Sequence, residues 1–275
     1  MVNSKKEKNK MIKLIAIDLD DTLLDSKKQI SEANRQAIKE ALDKGVKVVI
    51  ASGRPYFRVQ PILKELGFDK EEHYVITYNG GRISNGDESK IMMSHVIAQP
   101  YLQEITTLIE SLNLHYTVYQ EQEVFATSIL DVIRDKPVFK GLLFKIITQE
   151  DIKQITFANK VIVADLATKI SECRPLIEDQ LRGQFNILRS TPNFLEILPI
   201  KASKGLALGY LCQLLKLKPE EVMAIGDEEN DLSMFEVAGV KVAMGNANAL
   251  LKEQATFITL DQENSGVAAA INKYI

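Results

Sequence analysis

Short apolar runs alternate with longer amphipathic stretches over the first eighty residues of the chain. Three of these runs are rich in β-branched residues and stop at polar positions, which predicts three buried strands that end at a polar edge. The three predicted strands are Ile12 to Ile17, Val46 to Ile50 and Tyr74 to Tyr78.

The stretches between these runs have the signals of helices. Ser31 is an expected N-cap for a first helix, which Gly45 ends. Pro55 suits the first turn of a second helix, which runs to about Gly67. Strand and helix alternating at this spacing predict right-handed βαβ units, that is, a Rossmann-like α/β core with a parallel sheet covered on both faces by helices. Ligands of such sheets bind beyond the carboxyl ends of the strands.

The pattern changes over residues 84–194, where turns and short strand-like pieces (Tyr116 to Tyr119, Lys160 to Val163) mix with two helical stretches. We interpret this part as an α+β domain inserted into the core, which then comprises residues 11–83 and 195–275. The second half of the core is expected to hold helices from Lys204 to about Lys216 and from Asn230 to Ala238, and strands at Val222 to Ile225, near Lys241 and near Phe257.

Composition and net charge argue against some classes of partner for this chain. With 275 residues and a net charge of -3, it carries no field that favours nucleic acid or an anionic membrane. A lysine-rich start, residues 1–10, is expected to be a disordered tail. No apolar run reaches the roughly 18 residues of a membrane span, so a cytoplasmic protein is expected. Cys173 and Cys212 lie far apart without ligand-like spacing and are expected to be reduced.

Carboxylates cluster after two of the predicted strands. Asp18 and Asp20 follow the first strand, while Asp227 and Asp231 follow the strand that begins at Val222. A turn after each strand can bring all four to one point, where they would repel each other unless a cation binds. Oxygen ligands without histidine or cysteine favour Mg²⁺, which commonly shares its shell with a substrate phosphate. Ser52, the Gly53 amide and Lys204 lie at strand or helix ends and suit phosphoryl oxygens.

Four segments together resemble the motifs of the haloacid dehalogenase-like hydrolases, and the length and position of the insert resemble the type IIB cap of the Cof subfamily. The four segments are Asp18-Leu19-Asp20-Asp21-Thr22, Ser52-Gly53-Arg54, Lys204-Gly205 and Gly226-Asp227-Glu228-Glu229-Asn230-Asp231. This resemblance implies a phosphatase that hydrolyses small phosphomonoesters, such as sugar phosphates, through an aspartyl-phosphate intermediate.

The resemblance also implies roles for individual residues. Asp18 would be the nucleophile and a metal ligand, and Asp20 the general acid/base and a ligand through its backbone carbonyl. Mg²⁺ would be held with the help of Asp227, while Glu228 would act through its backbone and Asp231 would hold Lys204 or a metal-bound water. The implied phosphate contacts are the Leu19 backbone, Ser52, Gly53, Lys204 and Asn230.

One position departs from the family pattern, which commonly has glycine where this chain has Asp21. Aspartate tolerates left-handed backbone conformations better than most residues, so the loop is expected to be preserved.

Two other functions stay open at this point. A phosphomutase or phosphotransferase would use the same scaffold with another acceptor hydroxyl. A phospho-receiver module would also place acids around Mg²⁺, but it needs an acceptor aspartate after the third strand, where this chain has Tyr78-Asn79-Gly80-Gly81. Substrate choice is expected to lie in the insert, where His115, Tyr116, Tyr119 and Arg189 are candidates for substrate contact.

Overall fold

The computed structural model describes residues 11–127 and 143–275, so the predicted tail of residues 1–10 lies outside the described residues. The chain divides into two compact units, which we call the core unit and the inserted unit. The core unit contains the described residues up to Arg54, together with Arg58–Met93 and Ser203–Ile275. The inserted unit contains Pro55–Phe57 and Ser94–Ala202.

These bounds correct the ones expected from the sequence, which placed the insert at residues 84–194. Strands Arg82–Asn85 and Ile91–Ser94 extend the sheet of the core unit and so belong to it. Strand Phe194–Pro199 instead pairs along both edges with strands of the inserted unit. Turns and short strands occur on both sides of each boundary, so the sequence pattern did not show where one unit ends and the other begins.

The core unit is built on an eight-stranded sheet, which confirms the predicted α/β class. Its strands, in chain order, are β1 (Leu14–Asp18), β2 (Lys47–Ala51), β3 (Tyr74–Thr77), β4 (Arg82–Asn85), β5 (Ile91–Ser94), β14 (Val222–Gly226), β15 (Val240–Ala243) and β16 (Phe257–Ile258). Their order in the sheet is β16-β15-β14-β1-β2-β3-β4-β5. All pairs from β16 to β3 are parallel, and β4 runs antiparallel to β3.

Four helices lie where the sequence predicts them: α1 (Glu32–Asp43), α2 (Tyr56–Leu66), α6 (Lys204–Leu214) and α7 (Leu232–Val237). Two further helices, α8 (Ala249–Gln254) and α9 (Gly266–Tyr274), were not predicted. The Ser31 side chain accepts a hydrogen bond from the Asn34 amide, so it is the N-cap of α1 as expected. Gly45 follows this helix in a left-handed conformation, with φ of 81°.

The topology brings distant parts of the chain to one edge of the sheet. β1 lies between β2 and β14, in register with both, and runs parallel to them. Their carboxyl ends are therefore neighbours, and the residues that follow them are Leu19, Ser52 and Asp227. β1 itself is completely buried except for a trace of Asp18 at its end. The predicted polar edge is thus a product of the strand order.

The inserted unit contains a six-stranded, mostly antiparallel sheet in the order β12-β13-β11-β7-β8-β9, with a two-stranded sheet of β6 and β10. The strands are β6 (Ile97–Ala98), β7 (His115–Gln120), β8 (Glu123–Ala126), β9 (Phe144–Ile146), β10 (Phe157–Ala158), β11 (Lys160–Ala164), β12 (Phe185–Thr191) and β13 (Phe194–Pro199). Its helices are α3 (Gln99–Ser111), α4 (Gln149–Ile152) and α5 (Ala167–Gln180).

Helices α3 and α5 pack on one face of this six-stranded sheet. Alternate residues of a strand point to the same face, and the apolar ones on this face contact the two helices. Leu102 and Ile105 of α3 and Ile170 of α5 belong to one apolar cluster with Val118 and Val161 of the sheet. The inserted unit therefore has a hydrophobic core of its own, as expected for an α+β domain.

Two further expectations concern membranes and cysteines. None of the helices in the described part of the chain is long and apolar enough to cross a membrane. Cys173 and Cys212 are both free, as predicted.

Candidate active site

Three buried aspartates meet at the carboxyl edge of the core sheet. Asp18 ends β1, while Asp227 and Asp231 lie in the loop that leads from β14 into α7. Each offers a carboxylate oxygen, and these oxygens lie within 4.8 Å of one another. We call these three residues the aspartate triad. Its oxygens form a donor set that a metal ion can bind, and carboxylates are ligands that hard cations prefer.

Lys204, the first residue of α6, reaches into the same site. Its ammonium nitrogen lies 2.5 Å from Asp18 Oδ1 and 2.7 Å from Asp231 Oδ1. Only 1% of the Lys204 side chain is exposed. If all three carboxylates are ionised, one ammonium group leaves the buried cluster with two excess negative charges. A divalent cation would neutralise that excess, which supports the fit of the donor set to such an ion.

Burial and mutual repulsion change the protonation of this cluster. Burial, together with the neighbouring Asp231 and Asp227, raises the pKa of Asp18 against the opposing effect of Lys204. Burial and the Asp231 charge raise the pKa of Asp227 to about 7. Burial alone would lower the pKa of Lys204, but the two adjacent carboxylates outweigh it and raise the pKa. Without a metal the site therefore favours a charged lysine and binds protons on its acids.

Asp231 is held by a compact loop. Its second carboxylate oxygen accepts hydrogen bonds from the backbone amides of Asp227, at 2.9 Å, and Glu228, at 3.2 Å. Gly226 allows this approach, because a Cβ atom there would lie 2.4 Å from the same oxygen. Asp231 is therefore fixed by backbone donors on one side and by Lys204 on the other, in agreement with its expected contact to Lys204.

The hydroxyl of Thr22 donates a hydrogen bond of 2.8 Å to Asp227 Oδ1. Thr22 is completely buried in the loop after β1, so this bond connects the two acid-bearing loops across the edge of the sheet. It also opposes the increase in the pKa of Asp227. Sequence reasoning gave Thr22 no role, although it stands in the first motif.

The carboxylate of Asp20 lies outside the aspartate triad, which corrects the expectation that four aspartates surround one point. Arg54 donates to both of its oxygens, with distances of 2.8 Å from Nε to Oδ2 and 2.6 Å from Nη2 to Oδ1. Lys28 Nζ lies 3.1 Å from Oδ1. Burial alone would raise the pKa of Asp20, but these two cations lower it. The physical reason is the turn after β1, which directs Asp20 toward cations on neighbouring loops.

Asp21, the departure from the family pattern, has a left-handed backbone with φ of 58°. This confirms that aspartate adopts here the conformation that glycine takes most easily. Its carbonyl oxygen accepts a hydrogen bond from Asn246, and its half-exposed carboxylate lies 3.2 Å from Lys28 Nζ. The left-handed backbone expected at this position is present, and the extra carboxylate is paired.

The remaining predicted site residues line the same edge of the sheet. Leu19 follows Asp18 directly, and Ser52 and Gly53 follow β2. The Ser52 hydroxyl oxygen accepts a hydrogen bond from the Arg54 amide, which leaves its own proton available to a ligand. The Glu228 side chain accepts a hydrogen bond of 3.1 Å from Asn248, so its carboxylate has a partner outside the triad.

Asn79, to which sequence reasoning gave no role, joins two of these loops. Its side-chain oxygen accepts a hydrogen bond of 2.9 Å from the Asn230 side chain, and its backbone N–H donates one of 3.0 Å to the Ser52 carbonyl. It stands in the turn after β3, with a left-handed φ of 54°. An asparagine at a strand end beside two glycines was the available signal. No carboxylate stands in this Tyr78–Gly80 turn, so the acceptor that a phospho-receiver module needs is missing there.

The four candidates in the inserted unit separate into two groups. Tyr116 belongs to its apolar core, and its hydroxyl donates a hydrogen bond to Glu110. Arg189 donates hydrogen bonds to the Pro192 carbonyl and to the Ser171 hydroxyl, so it connects the turn after β12 with helix α5. These contacts give both a structural role. His115 and Tyr119 alternate with Tyr116 along β7 and point to the opposite face of the sheet.

Comparison with known proteins decides the family. A family model described as haloacid dehalogenase-like hydrolase matches residues 15–271. The chain belongs to the haloacid dehalogenase-like hydrolases. The resemblance of the four motifs is therefore confirmed, and with it the expectation of a hydrolase.

Similar proteins include two phosphatases of Bacillus subtilis strain 168. 5-Amino-6-(5-phospho-D-ribitylamino)uracil phosphatase YwtE is 31% identical over 288 residues, which cover 96% of this chain and 98% of that protein. Phosphatase YwpJ is 31% identical over 282 residues, which cover 94% and 98% respectively. The crystal structure of a haloacid dehalogenase-like hydrolase from Bacteroides thetaiotaomicron is 32% identical and has a TM-score of 0.87, with 96% of this chain and 100% of that chain covered.

Proposed function

We propose that the protein is a magnesium-dependent phosphatase that hydrolyses small phosphomonoesters through an aspartyl-phosphate on Asp18. The observation that carries this proposal is the meeting of Asp18 with Asp227, Asp231 and Lys204 at the carboxyl edge of the core sheet. Membership of a hydrolase family, with relatives named as phosphatases, supports the reaction class.

The metal site of this proposal consists of Asp18 and Asp227 with Asp231 close behind, assisted by the backbone carbonyl of Asp20 and by Glu228. The site offers three oxygen donors and two excess negative charges, and within residues 11–127 and 143–275 no histidine or cysteine joins this donor set. Such a set suits Mg²⁺. When bound, Mg²⁺ supplies positive charge that keeps Asp18 ionised and stabilises the charge that develops on the transferring phosphoryl group.

In the first step, a carboxylate oxygen of Asp18 attacks the phosphorus atom and forms a phosphorus–oxygen bond. The bond to the leaving oxygen breaks at the same time. Asp20, which has to bind a proton before this step although Arg54 and Lys28 lower its pKa, transfers that proton to the leaving oxygen, so an alcohol leaves. Lys204 and the Ser52 hydroxyl hold phosphoryl oxygens, together with the backbone amides of Leu19 and Gly53 and the Asn230 side chain.

In the second step, a water molecule attacks the phosphorus atom of the aspartyl-phosphate. Asp20 accepts a proton from this water, and the bond between phosphorus and Asp18 breaks. Inorganic phosphate leaves, and both aspartates return to their initial protonation states. Asp20 thus serves first as the general acid and then as the general base, and it recovers its proton at the end of each turnover.

Small phosphorylated metabolites are the proposed substrate class, and the inserted unit is the proposed source of substrate selection. The support is the resemblance to type IIB chains and a relative that is named for a phosphorylated ribitylamino-uracil. A phosphomutase would differ only in the acceptor, so the products must separate the two. Recovery of all cleaved phosphate as inorganic phosphate supports the hydrolase, whereas phosphate on a second hydroxyl supports the mutase.

The testing experiment measures phosphate release from p-nitrophenyl phosphate and from a panel of phosphorylated metabolites. Release is expected only with Mg²⁺ present, and full activity after treatment with EDTA would contradict the metal site. Asp18→Asn is expected to lower kcat by roughly 10⁴-fold or more, because an amide is a poor nucleophile. Asp43→Asn, at the exposed end of α1, is the matched control with unchanged activity. Normal turnover by Asp18→Asn would remove this residue from its role.

A further inference from the structure

A pocket with a volume of about 390 Å³ opens within the inserted unit. Residues 94–98 and 199–201 form two of its walls, and Tyr101 and Phe185 also line it. All of these residues belong to the inserted unit, and none is a residue of the proposed phosphatase site. Pockets that bind small molecules have volumes of roughly 300–1,000 Å³ and are mostly apolar, with a few polar groups. This pocket is therefore large enough for a ligand of one or two rings.

Aromatic and aliphatic side chains form the deep part of the pocket. Ile97 and Phe185 are 1% and 9% exposed, and both belong to the apolar core of the inserted unit. The ring of Tyr101, near the start of α3, stands at 75° to the ring of Phe185, with 6.0 Å between the ring centres. A flat aromatic ligand can extend this edge-to-face arrangement, since aromatic pairs are more favourable than their buried area alone.

Large apolar side chains also surround the entrance. Val96, Tyr101 and Ile200 are 41%, 50% and 51% exposed, although each lines the pocket. Single exposed apolar residues are ordinary on a protein surface, whereas a group of them around one concave site is typical of a ligand-binding groove. The entrance therefore gives evidence for a ligand that is separate from the volume of the pocket.

Hydrogen bonds hold the walls of the pocket in place. On one side, strand β6 pairs with β10. On the other side, the Ala202 amide donates a hydrogen bond of 2.8 Å to the Pro199 carbonyl and closes a turn. The Asn186 side chain donates a hydrogen bond of 2.9 Å to the Ala202 carbonyl and fixes this turn, which carries Lys201. A pocket that is already ordered loses little conformational entropy when a ligand enters.

The polar groups of the pocket determine the charge of the ligand. His95, Gln184 and Lys201 line it, and its lining contains no aspartate or glutamate. Burial and the Lys201 charge lower the pKa of His95, so its imidazole is neutral near pH 7. The pocket thus offers one positive charge and two neutral side chains that can donate hydrogen bonds. A carboxylate balances this charge, whereas a phosphate monoester brings a second negative charge without a partner.

We propose that this pocket binds a small aromatic carboxylate, with the aromatic ring against Tyr101 and Phe185 and the carboxylate beside Lys201. This inference does not rest on the proposed function, because it uses no residue of the aspartate triad or of the loops around it. It assigns the inserted unit a ligand other than the phosphorylated substrate.

The test is an equilibrium titration of the full chain with 2-naphthoate and with 2-naphthamide, followed by ligand-observed NMR. The two compounds have nearly the same shape, but only the first carries a negative charge. We expect 2-naphthoate to bind with a Kd on the order of 0.1–1 mM, as is usual for a ligand of this size. The amide is expected to bind about two- to fivefold more weakly, since an ion pair with a solvent-exposed lysine contributes modestly.

Substitutions at Lys201 test the origin of this preference. Lys201→Met is expected to raise the Kd of 2-naphthoate about two- to fivefold and to leave the Kd of 2-naphthamide unchanged. Lys201→Arg keeps the charge and is expected to keep the preference. Lys153→Met changes another exposed lysine of the inserted unit and is the matched control, with no effect on either Kd.

A substitution at Tyr101 tests the aromatic contact. Tyr101→Ala is expected to weaken the binding of both compounds about tenfold, because it removes one of the two rings. Leu176→Ala, at a 55% exposed position of α5, is the control and should change neither Kd. If thermal unfolding shows that Tyr101→Ala does not fold, the Lys201 variants with the two compounds decide the question.

A last control locates the ligand in this pocket. Mg²⁺ with inorganic phosphate is expected to leave the Kd of 2-naphthoate unchanged, and competition by phosphate would overturn the inference. Equal affinities for 2-naphthoate and 2-naphthamide, or an unchanged Kd of 2-naphthoate in Lys201→Met, would overturn it as well. A preference for the carboxylate that Lys201→Met removes and Lys201→Arg retains would support it.

Discussion

The ammonium group of Lys204 lies 2.5 Å from a carboxylate oxygen of Asp18, although the two residues are 186 positions apart in the chain. Both side chains are almost completely buried, at 1% and 9% exposure. The contact joins the start of α6 to the end of β1, so it connects the two segments of the core unit that the insert separates. The same ion pair therefore links the two segments of the fold and fixes the side chain of Asp18 in the site.

The first prediction concerns the loss of this buried cation. Lys204→Met leaves Asp18 and Asp231 without their ammonium partner, and we expect the metal-free protein to lose about 3–5 kcal/mol of unfolding free energy near neutral pH. The loss should be smaller in mild acid, where the carboxylates can bind protons instead. Urea unfolding in EDTA at both pH values measures this.

Lys39→Met is the control for that experiment, because Lys39 is an exposed lysine of α1 in the same unit. It should change the unfolding free energy by no more than about 0.5 kcal/mol. Equal stability of Lys204→Met and Lys39→Met would mean that the buried pair contributes nothing net to the fold.

The meeting of Asp18 with Asp227 could be predicted from the sequence because parallel strands end at a common edge. Each aspartate follows directly on a buried strand, and β1 and β14 are neighbours in the sheet. The helix boundaries at Ser31 and Lys204 were equally predictable, since local capping signals fix them. Strand order was not needed to find the residues, only to bring them together.

The direction of Asp20 could not be predicted in the same way. It stands two residues beyond the last strand residue, where alternation no longer applies, and its orientation depends on Arg54 and on a left-handed Lys28. Such contacts arise from tertiary packing of loops, for which spacing in the sequence carries no information. The bounds of the insert failed for a related reason, because β4 and β5 belong to the core sheet only through their pairing.

The second prediction is a dependence of stability on pH. The pKa of Asp227 is raised to about 7 in the folded protein, while an unfolded aspartate titrates near about 4. Between these values the folded state binds more protons than the unfolded state, so the unfolding free energy of the metal-free protein should fall as pH rises through this window. Below about pH 4 this contribution is fully present, and above about pH 7 it is lost.

Magnesium competes with those protons for the same oxygens. We therefore expect Mg²⁺ to raise the Tm more at about pH 8 than at about pH 5, which thermal unfolding with and without the ion can measure. Asp227→Asn removes the titrating group and should flatten both the pH dependence and the effect of the ion. A Tm increase that is equal at the two pH values would contradict the proposed competition.

The third prediction uses two glycines as a matched pair. At Gly226 an added Cβ would lie 2.4 Å from the Asp231 carboxylate, whereas at Gly209 the nearest atom is 3.9 Å away. Gly226→Ala should displace Asp231, lower stability by about 1–3 kcal/mol and weaken the effect of Mg²⁺ on Tm. Gly209→Ala lies within α6 and should raise stability by up to about 1 kcal/mol. Similar effects of the two changes would mean that Asp231 does not need the close approach.

The last prediction concerns the inserted unit, where Lys160 and Glu196 form a buried ion pair with a distance of 2.8 Å. The Lys160 ammonium also lies 5.2 Å from the centre of the Tyr119 ring. Lys160→Met leaves the Glu196 carboxylate buried without this cation and should cost about 3–5 kcal/mol, measured by urea unfolding. The double change Lys160→Met with Glu196→Leu should recover most of the loss, because apolar side chains replace a buried pair at little cost.

Lys145 and Glu123 supply the exposed counterpart in the same sheet, with 59% and 46% of their side chains exposed. Lys145→Met should change the unfolding free energy by only about 0–1 kcal/mol, because solvent screens this pair. If Lys145→Met lowers the unfolding free energy as much as Lys160→Met, burial does not determine the energy of these ion pairs. If the double variant stays as unstable as Lys160→Met, the loss comes from the lysine packing against Tyr119 and not from the isolated carboxylate.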